Sequence, residues 1–235
     1  METIQNNEIQ NQGQVPEATV SGVFDHSWKI LKRYFPELLL LILIQMLLSI
    51  PIGLGSMFFT HQFSGTFTNG LFNLVYGVLV MMPLSYGTSW VFLKAVRGEP
   101  FRVTDIFFAY QQFGNVLLAN ILVTLIVFAG FIMLIVPGII FACKLSFVPY
   151  LVMDEKMDAA DAVRKSWNMT KGHTGTIFLM GIVSFFIGLG GLICFIIGIF
   201  PAIIWISLAF ATIYMVVSAK SISAGEKQLA DAHEV

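Results

Sequence analysis

The stretch LLLLILIQMLLSIPIGLGSMFFTHQFSGTFTNGLFNLVYGVLVMMPLSYGTSWVFL, residues 38–93, carries no charged side chain over 56 positions. Two further uncharged runs follow, at residues 106–143 and 172–219. Because a bilayer core takes about 20 apolar residues per helix, each run has room for about two spans. The chain of 235 residues is 57% hydrophobic and 11% charged, whereas soluble domains carry about 25% charged residues. These values exclude a soluble enzyme, a nucleic-acid binder and a secreted disulfide domain, and they predict an all-α polytopic transmembrane bundle.

The uncharged runs predict about six spans. In the second run, two helices fit only with a tight turn, which Val136, Pro137 and Gly138 supply. Proline opens a helix well, and glycine tolerates the dihedral angles of a sharp reversal. The competing interpretation has five spans, with residues 137–153 as a re-entrant segment. The six predicted spans are 37–58, 70–93, 115–135, 138–153, 174–197 and 201–219.

The basic residues predict the orientation. Of 13 Lys and Arg residues, all except Lys144 fall on one side of the predicted spans, and the opposite turns contain no charge. The positive-inside rule then places both termini in the cytoplasm of a multi-pass membrane protein.

A short amphipathic stretch precedes each pair of predicted spans. Apolar residues recur at intervals of three and four in residues 20–35, 101–113 and 157–167, and charges occupy the other face. Such helices lie in the cytoplasmic membrane interface, where aromatic rings act as anchors. The candidate interfacial anchors are Trp28, Tyr34, Tyr110 and Trp167.

This pattern predicts a single transmembrane domain, residues 20–219, built from three units of amphipathic helix plus hairpin. The units are 20–93, 100–153 and 157–219. Residues 1–19 are rich in Gln and Asn, which predicts a disordered polar tail, and residues 220–235 are expected to form a polar C-terminal tail.

Residues 135–180, IVPGIIFACKLSFVPYLVMDEKMDAADAVRKSWNMTKGHTGTIFLM, contain a Pro-Gly turn, an aromatic apolar helix, an acidic break and a Ser-bearing amphipathic helix. In this the chain resembles the membrane domain found beside glycerophosphoryl diester phosphodiesterase catalytic domains, and related bacterial integral-membrane families of unknown function. The resemblance covers roughly residues 20–220 and implies a bacterial cytoplasmic membrane. It does not imply hydrolase activity, because we expect no phosphodiesterase barrel after Ala219.

Lys144 is the one charge inside a predicted span. An intramembrane lysine costs about 2.5–3.5 kcal/mol to insert, so it is a candidate contact for a lipid or an anion. The structural alternative is that its stem snorkels to the outer headgroups, since it lies only seven residues beyond Pro137. We favour snorkelling.

Small residues repeat at intervals of four in two predicted spans and form a candidate helix-packing stripe. Such a stripe serves internal packing, which we favour, or an oligomer seam. Its members are Gly138, Ala142, Ser146, Gly190, Cys194 and Gly198.

Sequence motifs for catalysis are missing, and the four His residues do not converge by any metal-ligand spacing. The acidic residues Asp154, Glu155, Asp158 and Asp161 are interpreted as a solvated face with an Asp161–Lys165 pair. We therefore expect no cofactor, no metal and no nucleic-acid partner.

The sequence favours a non-enzymatic membrane protein that organises lipids or partner proteins. The alternatives are a transporter or channel component for a small solute or lipid, and a membrane enzyme acting on lipids. Membrane lipids are the expected partners, with a homo-oligomer or another membrane protein left open.

Overall fold

The computed structural model describes residues 18–62, 66–193 and 195–233. It is 89% helical and contains no strand among these residues. The all-α bundle predicted from the uncharged runs is therefore confirmed. The predicted N-terminal tail lies almost entirely outside the described residues.

The first hairpin follows a short helix that Thr19 caps, its hydroxyl accepting from the amide of Gly22 at 3.4 Å. After the first long helix, the returning arm contains a five-residue π-helical turn just before Pro83. Proline has no amide hydrogen, and the wider turn accommodates the lost helical bond. The helices are α1 (Val20–Arg33), α2 (Phe35–Gln62), α3 (Thr66–Tyr76) and α4 (Met82–Arg97), with the π turn at Gly77–Met81.

The second hairpin follows a short 3-10 helix, Val103–Gln112, and consists of α5 (Phe113–Met133), α6 (Ile135–Lys144) and α7 (Val148–Asp154). Its turn is a single extended residue, Leu134. The sequence predicted the turn to begin two residues later, at Val136, Pro137 and Gly138. Pro137 instead lies in the first turn of α6, where a missing amide hydrogen costs no helical bond.

The third hairpin follows α8 (Ala159–Met169) and consists of α9 (Thr174–Ile193) and α10 (Phe195–His233). Helix α10 passes through Pro201 without ending and continues into the polar C-terminal stretch as far as His233.

Five helical segments are long and apolar enough to cross a membrane: Gly70–Arg97, Val103–Met133, Ile135–Asp154, Thr174–Ile193 and Gly198–Ser223. A sixth results if Val20–Arg33 and Phe35–Pro51, bent by 90° at their junction, form one broken span. The count of five or six agrees with the sequence. Whether the count is five or six depends on the first span, which is bent. It does not depend on residues 137–153, which the five-span interpretation made a re-entrant segment.

Large apolar side chains cover the outside of the bundle. Leu125, Phe128 and Phe185 are 59%, 62% and 68% exposed. In water such surfaces would be sites of association, whereas in a bilayer they face acyl chains.

The short 3-10 helix approaches α4 closely at Gly87. A Cβ atom added there would lie 1.8 Å from the backbone oxygen of Ile106. Only glycine permits this contact. Through it the 3-10 helix that precedes the second hairpin packs directly against α4 of the first hairpin.

Candidate functional site

The returning arm of the second hairpin is broken at residues 145–147, between α6 and α7. Pro149 has no amide hydrogen, and in an unbroken helix its ring would clash with the carbonyl of Leu145. The chain tightens instead, and the amide of Val148 donates to the carbonyl of Leu145 at 3.2 Å. The carbonyl of Lys144 thereby loses the helical donor that Val148 would have supplied.

Helix α8 supplies new partners for the Lys144 carbonyl. Ser166 Oγ donates to it at 2.7 Å, and Thr170 Oγ1 lies 3.4 Å away. Both side chains are fully buried. A buried carbonyl without a partner costs about 1–3 kcal/mol, so these hydroxyls hold α8 against the break.

The amine of Lys144 also faces α8, since its Nζ lies 4.1 Å from the ring centroid of Trp167. That ring in turn packs 5.3 Å from Phe141. The sequence placed Lys144 toward the outer headgroups and Trp167 at the cytoplasmic interface. Because the two groups are in contact, they lie at the same depth, and these two predictions exclude each other. The amine has an aromatic partner within the protein, which the sequence did not indicate.

The other predicted anchors contact aromatic neighbours in the described structure. Trp28 is 41% exposed and lies 4.9 Å from Trp205 of α10. Tyr34 lies 5.4 Å from Phe101, while Tyr110 is 39% exposed. Their placement in the membrane interface stays a prediction.

The predicted small-residue stripe of the second hairpin is interrupted. Gly138 is buried, and a Cβ there would meet the ring of Phe131 at 2.6 Å. Gly130 approaches it from α5, and a Cβ added to Gly130 would lie 3.0 Å from the Gly138 Cα. Ala142 is exposed, and Ser146 lies in the break and not on α6. The close contact is therefore Gly130–Gly138.

In the third hairpin the close approach is made by Gly191 and not by Gly190. A Cβ on Gly191 would lie 2.8 Å from both Ala202 Cβ and the backbone oxygen of Gly198, while Gly190 has open space around it. Gly198 thus belongs to this contact. Cys194 lies outside the described residues.

A charged cluster that the sequence did not predict joins the three hairpins. Arg97 donates to Asp154 through Nη1 at 2.6 Å and Nη2 at 2.5 Å. Tyr214 donates its hydroxyl to the same carboxylate at 3.0 Å and stacks on Tyr150, with ring centroids 5.0 Å apart. A bidentate arginine–carboxylate pair is among the strongest polar contacts in proteins. This cluster fixes the C-terminal ends of α4 and α7 to the middle of α10.

Our interpretation of the acidic residues as a solvated face is therefore wrong for Asp154, whose side chain is only 12% exposed. The predicted pairing is also corrected, because Lys165 bonds Glu155 and not Asp161. Glu155 is close enough since the chain reverses between α7 and α8. A further pair, Lys94–Asp105 at 2.9 Å, fastens α4 to the 3-10 helix.

An open groove of about 920 Å³ lies between α1 and α9, with one wall from α10. From α9 it is lined by Thr176, Leu179, Val183 and Ile187, which recur at intervals of three and four and so share one face. With a rise of 1.5 Å per residue, this apolar face is about 16 Å long.

The far wall of the groove is aromatic. Phe24 of α1 is buried and meets Trp205 edge to face, with ring centroids 5.6 Å apart. The indole nitrogen of Trp205 donates to the carbonyl of Phe24 at 3.0 Å, so the wall is fixed in place. Ser27 and Thr212, both buried, are 3.1 Å apart and attach α1 to α10 a short distance away.

The groove opens where the surface of α9 is apolar. Phe178, Ile182 and Phe186 are 45%, 39% and 63% exposed on this helix, which is long enough to cross a membrane. Leu179, which lines the groove, is itself 49% exposed, so the groove has an apolar residue at the outer surface of α9.

Helices of this length and composition, with apolar side chains outside and an ion pair inside, define a multi-pass α-helical integral membrane protein. No protein-family model, curated protein or solved structure matches the chain.

Proposed function

We propose that the protein is a non-enzymatic integral membrane protein of the bacterial cytoplasmic membrane, with both termini in the cytoplasm, that binds and organises lipids. The groove between α1 and α9 holds an acyl chain. The observation that carries this proposal is that the groove is lined by apolar residues of α9, which are Leu179, Val183 and Ile187, on a helix with further apolar side chains exposed on its surface. Its volume lies in the range of about 300–1,000 Å³ that is usual for small-molecule sites.

The occupant is a lipid chain because of what surrounds the groove. A helix with apolar side chains on its outer face is solvated by acyl chains, and Leu179, which lines the groove, is 49% exposed on that helix. An acyl chain that enters the groove leaves the loosely ordered bilayer and makes ordered contacts with Val183, Ile187 and Trp205. The protein thereby orders lipid beside α1.

Native mass spectrometry of the protein from mild detergent tests this. We expect retained lipid on the wild type and less on Val183→Phe, which fills the groove. Ile182→Phe introduces the same ring at the neighbouring residue, which does not line the groove, and should retain lipid as the wild type does. Equal retention in all three proteins would contradict the proposal.

Two further measurements separate the alternatives. Flux of a small solute through liposomes that contain the protein would favour a transporter or channel. Turnover of a lipid by the purified protein would favour a membrane enzyme. We expect neither.

A further inference from the structure

A second, polar pocket of about 510 Å³ lies at the junction of the 3-10 helix with α5, away from the groove. Its lining includes the side chains of Gln111, Gln112 and Asn115, and the amine-bearing side chain of Lys156. Lys156 is the one charged residue among those that line it in the described part of the chain. A pocket of amides and one cation suits an anion.

The two carboxylates that precede Lys156 are already engaged, and Asp158, which follows it, is exposed and forms no ion pair with it in the described structure. Asp154 binds Arg97 and Tyr214, and Glu155 binds Lys165. Lys156 forms no ion pair within the described residues, and its Nζ lies 5.8 Å from the ring centroid of Phe108, which also lines the pocket. Its positive charge is thus left for a ligand.

The backbone of Lys156 is in the left-handed region, with φ of 51°. It follows the end of α7, a position where glycine is the usual residue because a Cβ is unfavourable there. The backbone of a lysine is strained in this conformation, and such strain is typical of functional positions. A ligand contact made by the amine would account for a lysine here.

Gln112 adds an independent observation. Its Oε1 atom is buried and has no hydrogen-bond partner. Buried polar atoms normally have partners, so this amide has capacity for a bond to a ligand. The unpaired Oε1 is an acceptor, whereas a phosphate oxygen needs a donor. A half turn of the Gln112 amide exchanges the oxygen with the NH2 group and gives up no hydrogen bond at that oxygen, so the NH2 group can donate to a phosphate oxygen.

We propose that this pocket binds a phosphate ester, with Lys156 as the charged contact and the three amides as hydrogen-bonding partners. The site is separate from the groove and does not depend on the lipid-binding function proposed for it. A phospholipid headgroup and a soluble phosphate share this chemistry.

The test uses the full chain in neutral detergent and measures the thermal midpoint and the affinity for two probes. One probe is inorganic phosphate, compared with chloride at equal ionic strength, and the other is phosphatidic acid in mixed micelles. A ligand that binds the folded state raises the midpoint as its concentration grows. A midpoint raised by either probe, and raised as much in Val183→Phe, whose lipid groove is filled, supports the site and identifies its source. If neither probe acts beyond chloride, the proposal fails.

Lys156→Gly is the decisive variant, because it removes the amine while relieving the strained backbone. Without ligand its midpoint should equal or exceed that of the wild type, which shows that it folds. Its affinity for the effective probe should fall about tenfold, since one charge-assisted contact is lost. Lys171→Gln, an exposed lysine outside the pocket, should bind as the wild type does. Val183→Phe in the groove should also leave phosphate affinity unchanged. Wild-type affinity in Lys156→Gly would overturn the proposal.

Discussion

Arg97 and Asp154 are 57 residues apart in the chain, yet both guanidinium nitrogens meet both carboxylate oxygens, at 2.6 and 2.5 Å. The pair joins the last residue of the first hairpin to the last residue of the second. Tyr214 brings in the third hairpin through the same carboxylate. One shared carboxylate, that of Asp154, therefore joins all three hairpins.

Asp154→Asn should destabilise the protein by about 2–3 kcal/mol, because the partly buried guanidinium of Arg97 then keeps only Glu99, 3.9 Å away, as a counter-charge. Tyr214→Phe should cost about 1.5 kcal/mol, the value of one hydrogen bond to a charged group. Thermal unfolding in detergent measures both. Asp158→Asn is the control, since Asp158 is exposed and forms no ion pair in the described structure. Similar midpoints for Asp154→Asn and Asp158→Asn would show that the pair contributes little.

Ser166→Ala should cost about 1–2 kcal/mol, because the Lys144 carbonyl loses its shortest hydrogen bond at a helix break. Ser89→Ala is a matched control. Ser89 donates to the carbonyl of Ser85 within an unbroken helix, and that carbonyl keeps its amide partner when the hydroxyl is removed. The two thermal midpoints should differ, with Ser166→Ala the lower. An equal effect of the two changes would mean that α8 is held by its apolar contacts alone.

Gly191→Ala and Gly190→Ala distinguish the observed hairpin contact from the predicted stripe. The added methyl group on Gly191 would meet Ala202 and the Gly198 carbonyl at 2.8 Å, which forces α9 and α10 apart and should cost about 1–3 kcal/mol. On Gly190 it points into open space and should be neutral or slightly stabilising, because alanine favours helix. Thermal midpoints in the reverse order would refute the register of this hairpin.

Trp167 and residue 144 should report the same membrane depth. In a variant whose only tryptophan is Trp167, fluorescence is measured with a series of lipids brominated at different depths. We expect quenching of Trp167 to be strongest at one depth. A fluorophore attached to Lys144→Cys should give its maximum at the same depth. The physical reason is the 4.1 Å contact between the Lys144 amine and the Trp167 ring. Maxima on opposite sides of the bilayer centre would contradict that contact.

The fold class can be predicted from the sequence because one strong effect decides it, the cost of exposing long apolar runs to water. Uncharged runs of 38 to 56 residues cannot be placed in water, so the number of helical spans is nearly fixed by length. The sequence also contains a signal for the break in the second hairpin, which is Pro149. A proline inside an apolar helix signals an unpaired carbonyl four to five residues earlier, and the search for its partner leads to Ser166.

The contacts between hairpins could not be predicted in the same way. Successive residues of a helix differ by about 100° in direction, so only packing decides whether Gly190 or Gly191 faces α10. The same holds for Arg97 and Asp154, which have no fixed spacing. Both stand at the ends of apolar segments on the same predicted side, and that shared depth was the available signal for their pairing.

The central claim is that the groove between α1 and α9 retains a lipid chain, and Trp205 in its wall reports on this directly. A protein in which Trp28, Trp90 and Trp167 are replaced by Phe is placed in nanodiscs with brominated-chain lipid, which is then diluted with unbrominated lipid. We predict that Trp205 fluorescence stays more strongly quenched than the remaining fraction of brominated lipid in the bulk would cause, because the groove releases its lipid chain slowly. That excess should be lost in Val183→Phe and kept in Ile182→Phe. Quenching that follows bulk dilution equally in all three proteins would contradict the account.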